Sequence, residues 1–259
     1  MEFNTITYEK KDRLAILSLN RPDSLNALNE DMKEDLKKAL SMAASDEEIH
    51  VVVLTGVGRF FCSGADLTRF KKDYERFEDK GEQSDFYDIA LSRSFVFFPK
   101  PLIAAVNGPA VGVGMTMVLS CDIRLASELA SFSCPFTRVG LTPEFGSSYH
   151  LPRLVGYARA AEWVLTGRSV NAQEAISAGL INHLVAPEVL MVEALKMAQE
   201  IASLPREAVD TAKRLLRDGL DSSLDEAVER ETKVFHAGQK TPSHYMAVCE
   251  VLKQMKPGR

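Results

Sequence analysis

Apolar and polar residues alternate through FNTITY (residues 3–8) and RLAILSL (13–19), with a charged stretch, Glu9 to Asp12, between them. Alternation of period two places one face on a core and the other in water, so the pair predicts a β-hairpin. RPDSLNAL (21–28) breaks the pattern and reads as a loop. Asn29, Glu30 and Asp31 then predict a helix start, a side-chain cap followed by an acidic first turn, with the helix running to about Ser45. IHVVVLTG (49–56) and PLIAAVNG (101–108) are continuous apolar runs ended by glycine, the pattern of strands buried on both faces. Residues 67–97, rich in charge and aromatics, read as helix in pieces. VGVGMTMVLSC (111–121) is an apolar helix starting on glycines, and DIRLAS (122–127) and ASFSCP (130–135) are short strands.

Beyond Leu154 the pattern turns mainly helical. Asn171 with Glu174, and Ser223 with Glu226, have capping-box spacing, and Thr241 before Pro242 is a cap with proline at the first helical position. Helices are predicted near 187–203, 206–218, 223–238 and 242–254. Strand, helix and strand recur at intervals too short for a large Rossmann sheet, which leaves a mixed α/β fold. No internal repeat or long linker interrupts the chain.

Composition narrows the function only by exclusion. The 259 residues suffice for one large core, and 46% hydrophobic with 26% charged residues is ordinary for a soluble protein. A net charge of −5 argues against nucleic acid as a partner. No apolar run is long enough to span a membrane, no secretory signal precedes the first strand, and the end KQMKPGR is not a peroxisomal address, so a cytoplasmic location is expected by elimination. Cys62, Cys121, Cys134 and Cys249 lie far apart and outside any CxxC pair, as reduced thiols do.

Chemistry concentrates in three segments. Gly108, Gly112 and Gly114 stand between a strand and a helix. A dinucleotide fingerprint would need a third spaced glycine where Met117 stands, so a cofactor of that kind is not expected. The glycines either allow a tight turn or expose backbone N–H groups to an anion. FCSGADL (61–67) also follows a buried strand and presents Ser63, Gly64 and Ala65 in a row. Within it Asp66 is either a reactive carboxylate or, the better fit, the cap of a helix beginning near Leu67. Cys62 has no histidine near it and reads as a small buried residue. Two such loops suggest an oxyanion hole, which still requires a base.

Between Ile103 and Ala160 the carboxylates are Asp122, Glu128 and Glu144. Asp122 sits at a helix-to-strand junction and Glu128 in a polar turn. Glu144, between Pro143 and Phe145, is either a surface-loop glutamate or a desolvated general base. His150 is a possible site neighbour or a structural histidine. The five histidines form no metal-binding spacing, and no GxSxG elbow is present.

RPDSLNAL, HVVVLTG, FCSGADL, KPLIAAVNGPAVGVG, SCDIRLAS, GLTPEFGSSYHLPRLVG and TGRSVNAQEAISAGLINHLV follow one another in the order and spacing of the crotonase (enoyl-CoA hydratase/isomerase) superfamily, which the chain resembles over roughly residues 5–255. The resemblance implies a crotonase-like spiral of ββα turns over residues 1–200. A helical C-terminal region, 201–259, would serve assembly into a homotrimer or a dimer of trimers. It implies an acyl-CoA thioester as substrate, with coenzyme A part of that substrate and no separate cofactor or metal. The thioester oxygen would lie between the N–H groups of Ala65 and Val113, the latter directed by Gly112. Ser24, Leu25 and Ala27, with Ser63, Gly64, Asp66 and Leu67, would line the coenzyme A and acyl path. Met115, Met117, Phe136 and Phe145 suit either an apolar acyl pocket or ordinary core.

The two glutamates by which hydratases of this superfamily activate water fall here at Thr116 and Phe136. Thr142-Pro143-Glu144 instead resembles the peroxisomal-type Δ3,Δ2-enoyl-CoA isomerases, whose single catalytic glutamate lies in such a loop, and Val113 in place of a glycine is also similar to that group. The expectation is therefore a Δ3,Δ2-enoyl-CoA isomerase. The alternatives are a hydratase-like or other acyl-CoA reaction, or a member that binds acyl-CoA or a protein without catalysis.

Overall fold

The computed structural model describes residues 3–66, 68, 71, 75, 78 and 88–255. The first hairpin pairs β1 (Ile6–Lys11) antiparallel with β2 (Leu14–Leu19), and Lys11 stands opposite Leu14. The turn is therefore Asp12-Arg13, with Asp12 left-handed at φ 54°. It does not span Glu9 to Asp12 as the charge pattern suggests. Glu9, Lys10 and Lys11 belong to β1, which lies at the sheet edge, where charged side chains stay in water and block further strand pairing.

Helix α1 (Glu30–Ser45) starts where Asn29 accepts a hydrogen bond from the Met32 N–H. It buries Met32, Leu36, Ala39, Leu40 and Ala43, a spacing of three and four that forms one apolar face. After it come β3 (Val51–Gly56), α2 (Ile89–Val96), β4 (Leu102–Val106), β5 (Ala110–Val111) and α3 (Val113–Leu119). Next are β6 (Ile123–Ser127), β7 (Ser131–Ser133), α4 (Ser147–Val155), α5 (Tyr157–Thr166), β8 (Val170–Asn171), α6 (Ala172–Ser177) and β9 (His183–Val185). The last elements are α7 (Leu190–Ser203), α8 (Arg206–Gly219), α9 (Leu224–Gly238) and α10 (Pro242–Gln254).

The six-stranded sheet has the order β1-β2-β3-β4-β6-β9 and is parallel from β2 onward. Alternate residues of one strand serve opposite faces. Val52 and Leu54 join the large core with α1 and α2, whereas Val51 and Val53 meet Leu190, Ala194, Ala198 and Ala202 of α7. Burial on both faces is why the strand read as an unbroken apolar run. The alanines, four residues apart on α7, leave room for the helix to lie close to the sheet.

A second, shorter layer follows the same winding. Its sheet has the order β5-β7-β8, and parallel bridges Leu28–Ala65 and Cys62–Ala110 extend the layer to earlier turns. Successive turns thus contribute a strand to the large sheet and a short extended segment to the second layer, as in the expected ββα spiral. The C-terminal part holds two strands, β8 and β9, where a mainly helical region was expected. At two and three residues they are too short for periodicity to reveal. Helix α7 runs through the boundary expected at residue 200. Among the described residues, α8, α9 and α10 add no side chain to the buried apolar core, while Lys213 of α8, 9% exposed, pairs with Asp122. No helix of the described residues is long and apolar enough to cross a membrane.

Candidate active site

The second layer carries the candidate site, because its short segments press three loops together. The Ser63 N–H donates to the Leu25 carbonyl at 3.0 Å, the Leu28 N–H to Gly64 at 2.8 Å, and the Asp66 N–H to Leu28 at 3.1 Å. On the other side, the Cys62 N–H donates to Pro109 at 3.1 Å and the Val111 N–H to Cys62 at 2.9 Å. The loops holding Ser24, Leu25 and Ala27, then Ser63, Gly64, Ala65 and Asp66, then Gly112 and Val113 are therefore contiguous. Leu67 lies outside the described residues.

Asn26 locks the first of these loops. Fully buried and left-handed at φ 55°, its side chain accepts from the Arg21 N–H and donates to the Val57 and Phe60 carbonyls. Sequence reasoning passed over it; an asparagine beside a proline turn was the available signal, since it tolerates the left-handed region and bonds nearby backbone.

Glycine is required at two places in the third loop. Gly112 has φ 55° and ψ −122°, a conformation that side chains other than hydrogen rarely adopt. A Cβ on Gly114 would come within 2.6 Å of the Cys62 carbonyl oxygen. The tight turn expected of these glycines is formed. The turn begins α3, and Val113 at its first position has no acceptor for its N–H among the described residues. The Ala65 N–H likewise has none. Gly64, at φ 105°, brings its own backbone against the Val111 carbonyl.

Glu144 reaches the site from a separate loop. Gly140 turns the chain at φ 71°, and the Leu141 N–H donates back to Phe136. Phe145, left-handed at φ 58° yet 2% exposed, sets its ring edge-on to Phe95 of α2 at 5.6 Å. The following residues form α4, a helix that the apolar pattern does not predict. Its start ties back through the Ser147 N–H to the Glu144 carbonyl at 3.0 Å.

The Glu144 carboxyl is half-buried at the wall of a cavity of about 530 Å³. Oε1 accepts a 2.7 Å hydrogen bond from the Thr116 hydroxyl, and Oε2 has no partner among the described residues. Burial pushes the carboxyl up to about 7, while the Thr116 hydroxyl and the positive charge of Lys33 pull it down. Val113 and Phe136 line the same cavity, with Leu28, Lys33, Leu91 and Phe145. The Ser24–Ala27 and Ser63–Asp66 segments and Gly112 adjoin Val113 without lining that cavity.

The remaining candidates take structural places. Asp122 accepts from the Leu102 N–H and pairs with Lys213 at 2.7 Å. Glu128 is exposed. Asp66 accepts from the Thr68 N–H and hydroxyl, which is the cap role. Burial pushes the Cys62 thiol up to about 12, which rules out a ready thiolate. His150, held down from its usual range by burial, packs edge-on against Tyr149. Thr116 is the site residue whose position was noted but whose contact was not foreseen. It is one polar side chain in the apolar helix VGMTMVL, which was the signal available.

The arrangement offers one desolvated carboxyl near neutral pKa and backbone donors at a helix start, facing an apolar cavity. The family described as enoyl-CoA hydratase/isomerase matches residues 9–257. The chain is 36% identical over 257 residues to a short-chain-enoyl-CoA hydratase of Clostridium acetobutylicum, covering 99% of this chain and 97% of that one. It is 35% identical to a crotonyl-CoA hydratase of Syntrophomonas wolfei, covering 91% of this chain and 90% of that one. Among solved structures, an enoyl-CoA hydratase subunit I of Geobacillus kaustophilus superposes with a TM-score of 0.89 at 33% identity, covering 100% and 99% of the two chains.

Proposed function

The chain belongs to the enoyl-CoA hydratase/isomerase family, and from that premise we propose that it is a Δ3,Δ2-enoyl-CoA isomerase with Glu144 as its single acid/base. The observation that carries this reading is the 2.7 Å contact between Thr116 and Glu144. A threonine stands where hydratases of the superfamily hold one water-activating glutamate, and Phe136 stands where they hold the other. Two carboxyls line the cavity; Asp88 is paired with Lys37 and caps α2, and Glu144 is bonded to the first of these replacements.

In the proposed reaction the ionised Glu144 takes a proton from C2 of a 3-enoyl-CoA. The C2–H electron pair forms the C1=C2 bond of a dienolate that keeps C3=C4, and the carbonyl π pair moves onto the thioester oxygen, where negative charge gathers. The N–H groups of Ala65 and Val113 receive that charge; an oriented donor of this kind is worth roughly 3 kcal/mol in a transition state. The Glu144 carboxylic acid then returns its proton to C4, and the charge flows back to re-form the thioester carbonyl with the double bond at C2=C3. No electrons or atoms are left over, and coenzyme A enters only as part of the substrate. Phe136, Leu91 and Phe145 keep the cavity apolar, which disfavours water competing for the proton.

The names of the relatives favour a second reading, hydration of a 2-enoyl-CoA. That reaction needs a carboxylate to orient water; of the two at this cavity, Asp88 is engaged by Lys37 and the Leu91 N–H, which leaves Glu144 as the candidate. Glu144→Gln decides the role of the base. Turnover of 3-enoyl-CoA should fall by roughly a factor of a thousand, with calorimetric affinity for a saturated acyl-CoA within a few-fold of wild type. Wild-type turnover by this variant would falsify the assignment. We further propose that α8–α10 assemble the chain as a homotrimer or a dimer of trimers.

A further inference from the structure

We infer that Thr116 is a positioning residue whose hydroxyl holds Oε1 of Glu144 in both protonation states of the base, and this rests on the isomerase reading above. The Thr116 side chain is fully buried, and its oxygen has two neighbours: the Glu144 Oε1 at 2.7 Å and the Val113 carbonyl, one helical turn back, at 3.2 Å. A hydroxyl carries one hydrogen, so it donates to one of them at a time. When Glu144 is ionised, the charged carboxylate is the stronger acceptor and takes that hydrogen. When Glu144 takes a proton on Oε2, Oε1 becomes the carbonyl oxygen of the acid and still accepts from the Thr116 hydroxyl. Both states of the base are therefore held by the same hydrogen bond, with no water and no backbone movement.

The placement adds a second consequence. Thr116 lies three residues after Val113 on α3, so the proposed oxyanion donor and the anchor of the base share one turn of helix. The rise of about 1.5 Å per residue fixes their separation along the axis at ~4.5 Å. A single hydrogen bond therefore transmits the position of the oxyanion hole to a carboxyl carried on a separate loop. With Oε1 held, Oε2 is the carboxyl oxygen left to exchange protons with substrate.

Thr116→Val keeps the branched shape and removes the hydroxyl; Thr116→Ser keeps the hydroxyl. Loss of a donor to the charged form raises a carboxyl pKa. The acid limb of kcat/KM for 3-enoyl-CoA should move up by about one pH unit in Thr116→Val, from the typical strength of a hydrogen bond to a charged group. The kcat on the high-pH plateau should also fall by about tenfold as the carboxyl loses its anchor. KM for substrate should change less than kcat. Thr116→Ser should return both the limb and the plateau toward wild type, and thermal melting identifies any variant that has simply lost its fold. A Thr116→Val enzyme that melts like wild type and keeps the wild-type pH limb and plateau overturns the positioning role. Failure of Thr116→Ser to restore what Thr116→Val loses overturns it as well. If the wild-type protein does not isomerise 3-enoyl-CoA, the reading of the reaction fails instead. Direct titration of the Glu144 carboxyl by 13C NMR in the two variants then still decides whether the hydroxyl holds it.

Discussion

Burial lifts the Glu144 carboxyl, while one hydroxyl and one nearby positive charge restrain it, and the balance leaves it at about 7. A carboxylate so placed is a stronger base than an exposed one and still ionised in part at neutral pH. The proposed reaction uses the ionised form, so kcat/KM for 3-enoyl-CoA should decline as pH falls through about 7; a flat profile between about pH 5 and 8 would mean that another group is the base. The same shift has a cost in stability. Between the ordinary glutamate value of 4.5 and the folded value of about 7, the folded chain holds a proton that the unfolded chain has released. Stability must therefore fall as pH rises across that window and stay reduced above it. The ceiling is roughly 3 kcal/mol, less the relief from partial solvent access. Glu144→Gln removes this term, so it should melt higher than wild type above pH ~7, with the gap closing toward pH ~4.5. Melting curves of the two proteins across that range give the sign directly.

Two short segments convert the fold into a site, and each depends on one unusual backbone. Gly112→Ala leaves room for the methyl, whose nearest atom would be 3.8 Å away, but forces an alanine into a conformation at φ 55° and ψ −122°. It should cost about 1–3 kcal/mol in unfolding free energy, or re-aim the Val113 N–H and lower kcat/KM by tenfold or more. Denaturant titration and kinetics together separate those outcomes. Phe145→Ala removes the ring that meets Phe95 and should destabilise by ~3 kcal/mol while loosening the Glu144 loop. The strands β3 and β4 and the helices α1 and α7–α10 were legible because long periodic runs and caps carry their own signal. The capping contacts of Asn29, Ser223 and Thr241 form as their spacing predicts. The extent of the hairpin, β8, β9 and α4 were not legible. Charge on an edge strand mimics a turn, and strands of two or three residues are formed by their neighbours. Within the site, the expected loops could be listed from motifs. Their contact through Leu25–Ser63 and Cys62–Val111, and the reach of Thr116 to Glu144, join residues distant in sequence that no local pattern connects.

At the scale of the whole chain, the apolar core ends at α7, and α8 is tied to it through Lys213, which pairs with Asp122 and donates to the Lys100 carbonyl. Leu216, Leu224, Phe235, Tyr245 and Met255 each keep more than 60% of their surface exposed in the protomer. That much apolar surface on consecutive helices is the face the proposed assembly would cover. Light scattering should give a mass about three or six times the 28.6 kDa chain, and a monomer at micromolar concentration would remove the proposed role of these helices. The proposed reaction is also a property of the whole molecule, since base, donors and cavity walls come from five separate stretches of sequence, around residues 28–33, 65, 88–91, 113–116 and 136–148. The most direct test follows product mass with time when the purified protein is given 3-enoyl-CoA and, separately, 2-enoyl-CoA. The account predicts that 3-enoyl-CoA becomes 2-enoyl-CoA without change of mass, and that 2-enoyl-CoA gains water negligibly by comparison. Rapid gain of one water by 2-enoyl-CoA, with 3-enoyl-CoA left unchanged, would contradict it.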